Sequence, residues 1–255
     1  MTTSVLLAEY EKRLAQRDIN ANNSVIPKKV ISIDPIKFKP SGEINTFFGL
    51  TCIVWIDPGT KLFQGISAYQ RAIKNELDQA GLGKFFSFLK PGSFHMTICD
   101  IVANSAPIQS KKASKIIDQI HKSFSSTAKT EVVSCRIQGV GLSSTITALV
   151  RFETEEELRK ILFLEQLIKD ATRVNLRNFT GHITLAYGVS DIGEAEDNIK
   201  KILQSKMMAT FGNFVFSQFD LACFTDMNTY IPLVSINLES GQITHHQNTA
   251  ECQFS

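Results

Sequence analysis

Ser93-Phe94-His95-Met96-Thr97-Ile98 and Thr180-Gly181-His182-Ile183-Thr184-Leu185 are two copies of one pattern. In each, a hydroxyl residue, a histidine and a threonine occupy alternate positions, and the histidines lie 87 residues apart. Side chains alternate between faces along a strand, so Ser93, His95 and Thr97 share one face while Phe94, Met96 and Ile98 share the other. The second copy divides likewise into polar Thr180, His182 and Thr184 and apolar Ile183, Leu185 and Tyr187. Such a strand buries one face in a core and lines a cleft with the other.

The surroundings of the two motifs also repeat. Residues 47–56 are aromatic and β-branched and stop at Asp57-Pro58-Gly59, which predicts a strand and a turn. Leu62, Ile66, Tyr69, Ile73 and Leu77 recur at spacings of three and four, an amphipathic helix closed by Gly81. A strand over 94–101 follows, then a helix marked by Ala113, Ile116, Ile117, Ile120 and Phe124, then a strand over 131–138. After Gly139 and Gly141 the order restarts: a strand at 145–152, a helix opened by the Thr154/Glu157 capping box, and a strand at 179–187. Asp191 and Glu194 open another helix, and strands at 214–224 and 230–238 close the unit, with Pro232 favouring an edge or strand end. The chain therefore reads as a duplicated β-α-β-α-β unit in one bilobal domain, 46–238, with lobes 46–140 and 141–238. An arm, 1–45, with a short helix near 4–17 precedes it; a polar tail, 239–255, expected to be mobile, follows.

Composition narrows the function classes. The 255 residues include 27 Lys+Arg and 25 Asp+Glu, a net charge of +2, with 43% hydrophobic residues, the proportions of a soluble globular protein. Charge balance argues against an extended nucleic-acid surface or a polybasic membrane anchor. The apolar stretch 47–56 is half of the roughly 20 residues a membrane span needs, and the N-terminus lacks the basic start of a secretory signal. The five cysteines are odd in number, widely spaced and without a CxxC pair, which suits a reducing cytoplasm and argues against a disulfide framework or a zinc knuckle.

Two imidazoles on opposite sides of a phosphorus atom can serve as base and acid near neutral pH. A threonine two residues along offers a hydroxyl donor to a non-bridging oxygen where negative charge develops. His95 and His182 are thus the candidate catalytic residues. Thr97, Thr184, Ser93 and Thr180 are candidate substrate ligands, joined by Tyr187 if a bulge turns it inward; no metal ligand set or cofactor is implied. His121 reads as a surface residue, His245 and His246 as part of the tail, and Cys99, on the cleft-facing parity of His95, as a small wall residue. Gly81-Leu82-Gly83-Lys84 lacks the spacing and hydroxyl of a phosphate loop.

The paired motifs resemble those of the 2H phosphoesterase (LigT-like) superfamily, and Pro91-Gly92-Ser93-Phe94-His95-Met96-Thr97 is similar to an uncharacterised bacterial branch of it. The resemblance covers roughly 46–238. It implies an α+β fold with antiparallel sheets flanking a central cleft, and metal-independent cleavage or formation of 2′,3′-cyclic phosphate or 2′-5′ phosphodiester bonds. By the same resemblance His95 and His182 form the acid/base pair, and Thr97 and Thr184 hold the phosphate oxygens. The expected partner is a small cyclic phosphate or a short RNA end, the expected state a monomer. A non-catalytic nucleotide or RNA-end binding module is the alternative; two intact histidines favour the enzyme, because holding phosphate needs no acid/base pair. The repeat leaves open which histidine is base and which acid.

Overall fold

The structure, a computed structural model, describes residues 5–19, 34–126, 131–174, 179–205, 210–247 and 252. In chain order it contains α1 (Val5–Ala15), β1 (Phe48–Trp55), α2 (Lys61–Gln79), β2 (Phe86–Phe88), β3 (His95–Asn104), α3 (Ser110–Ser126), β4 (Val133–Leu142) and β5 (Thr145–Arg151). There follow α4 (Glu155–Thr172), β6 (His182–Gly188), α5 (Glu196–Ser205), β7 (Thr210–Phe216), β8 (Gln218–Phe224), β9 (Tyr230–Asn237) and β10 (Ile243–His245). Local chemistry accounts for the helix starts. The Thr60 hydroxyl accepts from the Phe63 amide and the Thr154 hydroxyl from the Glu157 amide, each satisfying one of the orphan donors of a first turn. Leu62, Ile66, Tyr69, Ile73 and Leu77 form the buried stripe of α2 that their spacing predicts.

All strand pairs are antiparallel, in the order β10-β9-β8-β1-β3-β6-β5-β4-β7, with β2 also on β6. The fold is the expected α+β class with its antiparallel strands in one long sheet. Its centre is narrow: β3 and β6 pair through Met96↔Ile183 alone. The repeat survives as β1-α2-β3-α3-β4 and β5-α4-β6-α5-β7, but the sheet does not divide where the sequence does. β4 pairs with β5 and β7, and β8 pairs with β1. The short link between β4 and β5 makes these strands a hairpin, which outweighs membership of different repeats. The run 214–224, expected as one strand, breaks at Ser217 into β7 and β8, which lie far apart in the sheet order. The polar pair Ser217-Gln218 lies at the break, but no glycine or proline marks it as a turn.

The described parts of both terminal segments belong to the folded unit. Tyr10 and Leu14 of α1 are fully buried. The Tyr10 hydroxyl donates to the Val150 carbonyl (2.7 Å) and accepts from the Gly181 amide (3.1 Å). A Cβ at position 181 would sit 2.9 Å from that hydroxyl, which is why the second motif carries glycine where the first carries Phe94. Arg151 pairs with Glu11 and Asp18, tying α1 to β5. The tail is not the mobile segment expected: β10 pairs with β9, and Cys252 is buried and disulfide-bonded to Cys223 of β8. This corrects the reading of cysteine spacing, since only the folded chain brings residues 223 and 252 together; Cys52, Cys99 and Cys135 are free and buried.

Two irregularities aim the site residues. Against β1, pairing jumps from Ile53↔Thr97 to Cys52↔Cys99, so Ile98 is bulged out of register. Against β5, it jumps from Thr147↔Thr184 to Ile146↔Ala186, bulging Leu185. The bulges fall at the same place in both motifs, three residues after the histidine, and each shifts the following residues by one face. Buried Gln70 of α2 holds the second one, its amide donating to the carbonyls of Leu89 (2.8 Å) and Leu185 (2.9 Å). Gln70→Leu removes both bonds in a buried setting, and a loss of about 1–3 kcal/mol in unfolding free energy is expected. Urea denaturation measures it; an unchanged midpoint and slope would show that the amide does not hold the bulge.

Candidate active site

The seam sets the geometry. With Met96 paired to Ile183 in an antiparallel register, His95 lies alongside Thr184 and Thr97 alongside His182, all four on the face opposite the Met96 and Ile183 side chains. Each histidine thus neighbours the threonine of the other motif. His95, Thr97, His182 and Thr184 are half-buried, whereas Phe94, Met96, Ile183 and Leu185 are buried, as the alternation predicts.

The rings are oriented identically. His95 Nδ1 lies 2.7 Å from the Ser93 carbonyl oxygen, and His182 Nδ1 lies 2.8 Å from the Thr180 carbonyl oxygen. A carbonyl can only accept, so Nδ1 carries the hydrogen in both rings and Nε2 is left for substrate. This corrects the role expected of Ser93. It is buried, and its hydroxyl donates to the Lys90 carbonyl (2.8 Å), so the residue acts on the site through its backbone oxygen. Thr180 contributes the same carbonyl, and its side chain remains half-buried beside the second motif. Cys99 departs from its expected cleft-facing parity: the Ile98 bulge turns it away, it is buried, and burial pushes its thiol up to about 12.

The same kind of bulge brings Tyr187 onto the face of Thr184, within hydrogen-bonding reach of that threonine, with Phe38 packed on its ring and the Lys37 ammonium 5.0 Å from the ring centre. At the matching position of the first motif stands Asp100, exposed, its carboxylate accepting from the Thr51 hydroxyl (2.9 Å). The sequence pattern does not reveal Asp100 because strict alternation assigns it to the other face. Trp55 and Tyr230 are further additions. Their rings lie 6.0 and 4.4 Å from that of His95. Trp55 donates to Asp220 (2.8 Å), which also accepts from Ser235 (2.7 Å). The Ser235 hydroxyl is spent on Asp220, so the His246 Nε2 at 2.7 Å donates to it; the tail histidine thereby supports the aromatic wall of the site.

Electrostatics separate the two histidines. Burial lowers the pKa of His95 from its ordinary 6.5, opposed by the Ser93 carbonyl and by Asp100. His182 is lowered to about 4, chiefly by burial, opposed by the Thr180 carbonyl and by Asp100, with the Arg17 and His95 charges adding to the lowering. Burial raises the phenols of Tyr187 and Tyr230, which are therefore neutral hydrogen-bonding groups at ordinary pH.

The β3–β6 seam thus brings two histidines locked through Nδ1 and two threonines onto one face of an antiparallel sheet. Residues 37–140 match a family model named 2H-phosphodiest and described as a domain of unknown function (DUF1868). Among solved structures, a conserved protein of unknown function from Agrobacterium tumefaciens str. C58 superposes with a TM-score of 0.60 at 17% identity, covering 77% of this chain and 89% of that one. A phosphoesterase superposes with a TM-score of 0.52 at 12% identity over 75% and 98% of the two chains. LigT of E. coli complexed with 3′-AMP gives 0.49 at 10% identity over 75% and 98%. No protein of curated function matches the sequence. The family match covers the part of the chain that carries the first histidine motif, and the likeness to the solved structures is one of fold.

A histidine whose pKa is lowered on folding is favoured in its neutral form, so its contribution to stability is complete above pH 6.5 and is lost as pH falls through about 4. The midpoint of urea unfolding is expected to fall between those pH values, and to fall less steeply in His182→Gln. Equal slopes in the two proteins would show that His182 does not titrate as described.

Proposed function

We propose that the protein hydrolyses a cyclic phosphate or a 2′-5′ phosphodiester by two-histidine acid/base catalysis. The observation that carries this reading is the matched quartet: each Nε2 is directed to substrate by an Nδ1 bond, and each ring lies beside the opposite threonine. With a 2′,3′-cyclic phosphate, water attacks phosphorus as His182 Nε2 takes its proton, and the bond from phosphorus to one ribose oxygen breaks as His95 Nε2 protonates that oxygen. The product is a phosphomonoester. Thr97 and Thr184 donate to the non-bridging oxygens, where charge builds up. His182 is assigned as base because burial, with the Arg17 charge adding, lowers it to about 4, and His95 as acid because it is the other histidine of the pair; Asp100 opposes the lowering of both. Tyr187 and Thr180 line the substrate side of the same cleft.

Each single histidine-to-alanine change is expected to lower kcat by about 10²–10⁴, and the double variant to lose less than the product of the two. A diester with an activated phenolic leaving group needs no acid, so on it His95→Ala should recover most of its rate while His182→Ala stays impaired. Full activity of His95→Ala on 2′,3′-cyclic nucleotides would refute the assignment.

The pH profile gives a second check. kcat/KM should be bell-shaped, with its acid limb near 4, where His182 gains a proton, and its alkaline limb set by a His95 lowered from 6.5. An optimum above pH 7.5 or so would contradict the shifts on which the profile rests.

A further inference from the structure

We propose that a cavity between α3, the end of α4 and β3 is a second binding site, and that it takes a small phosphorylated molecule carrying at least two negative charges. None of its lining residues belongs to the histidine-threonine quartet or to the walls around it, so the site is independent of the hydrolysis described above.

The cavity, of about 510 Å³, has three cations in its wall: Lys112 and Lys115 of α3, and Arg173 at the end of α4. Among the described residues no carboxylate lines it, and residues 175–178, which follow Val174 in the chain, include no acidic residue. Nor are the three charges neutralised elsewhere. Among the described residues none of them forms an ion pair, whereas Arg159, Lys160 and Lys169 of α4 are each matched by a glutamate of the same helix. Like charges gathered at one cavity repel one another, so an anion placed among them relieves that repulsion and is itself attracted.

Two of the cations stand where their helices do not favour them. Lys112 lies in the first turn of α3, which holds no acidic residue, although a cation there opposes the helix dipole. Arg173 is the C-cap of α4 with φ 56° and ψ 32°, and it is the one non-glycine residue of positive φ among the described residues. Glycine suits that left-handed position, where a Cβ is costly. A basic residue near a helix C-terminus is favourable in itself, but Lys169 already supplies one in the last turn of α4. A long basic side chain held in strained backbone at the mouth of a cavity points to a task for the side chain.

Size and polarity give the ligand class. The volume lies within the roughly 300–1,000 Å³ of small-molecule sites. Three cations call for at least two negative charges; a guanidinium matches a phosphate with two parallel donors, and ammonium groups add point charges. Gln119 and Thr172 supply neutral hydrogen-bonding groups, while Ile101, Val102, Ile116 and Val174 offer apolar surface to an organic part. A phosphorylated small molecule with a flat or apolar portion has all of these features, and ADP is a suitable probe.

Calorimetric titration with ADP, inorganic pyrophosphate and adenosine tests the site. The wild type should bind ADP, bind pyrophosphate more weakly and not bind adenosine. Arg173→Gly and the double variant Lys112→Gln/Lys115→Gln should each weaken ADP binding by about 10- to 100-fold, the worth of a charged hydrogen bond. Lys122→Gln, which removes an exposed charge of the same helix outside the cavity, should leave it unchanged. Glycine accepts the left-handed backbone, so Arg173→Gly should melt no lower than the wild type, and its loss of binding is then not a loss of fold. ADP affinity in His182→Gln should equal that of the wild type, which separates this cavity from the catalytic cleft. A wild type that binds no ADP, or an affinity that follows His182→Gln or Lys122→Gln instead of Arg173→Gly, overturns the site. Absence of cyclic phosphate hydrolysis alongside the expected binding pattern overturns the hydrolysis reading and leaves the site standing.

Discussion

The pairing of Met96 with Ile183 joins β3 to β6, supported by β2 along β6 and by the Gln70 bonds to Leu89 and Leu185. Its register decides which side chains meet. A slip by one residue would carry every polar group of one motif to the buried face, so the apolar sets around Met96 and Ile183 protect the alignment of His95 with Thr184 and of Thr97 with His182. Beyond this contact β2 takes over the pairing along β6, and the four polar side chains share one face at the junction. The supporting structure, from the α2 stripe to the capped start of α4, serves to keep that contact in place.

The motifs, the order of elements and the buried stripes of the helices were legible in the sequence because they depend on periodicity, which survives translation into structure. The bulges were not. Ile98 and Leu185 are ordinary apolar strand residues, and nothing in their identity announces that pairing skips them, yet the skips turn Tyr187 and Asp100 onto the face of the histidines and Cys99 away from it. Long-range placement was equally hidden. The passage of β4 into the hairpin with β5, the return of β8 to β1, the meeting of Cys223 with Cys252 and the docking of α1 through Tyr10 all join residues distant along the chain. The role of Ser93 was misread because a hydroxyl near a histidine suggests a side-chain ligand, whereas the position contributes its carbonyl.

Duplication supplies a symmetric frame, and the residues that break the symmetry come largely from outside it. Trp55 and Tyr230 enclose His95, backed by Asp220, Ser235 and His246 of the C-terminal segment. Arg17 and α1 border His182 from the N-terminal segment. Two rings with the same hydrogen bond thus have different surroundings, as the proposed division into base and acid requires.

The return of β8 to β1 also has a bearing on how the protein is made. β1 is synthesised early, but the strand that satisfies its outer edge arrives only near the end of the chain, and β8, β9 and β10 complete the wall around His95 in that last stretch. During elongation β1 therefore exposes an apolar strand with open backbone donors and acceptors, the kind of edge that pairs with other chains. Closure of so distant a contact is slow compared with local helix formation. The two histidine strands are made by residue 188, but the aromatic wall beside His95 is complete only when Tyr230 and the strands around it have been made.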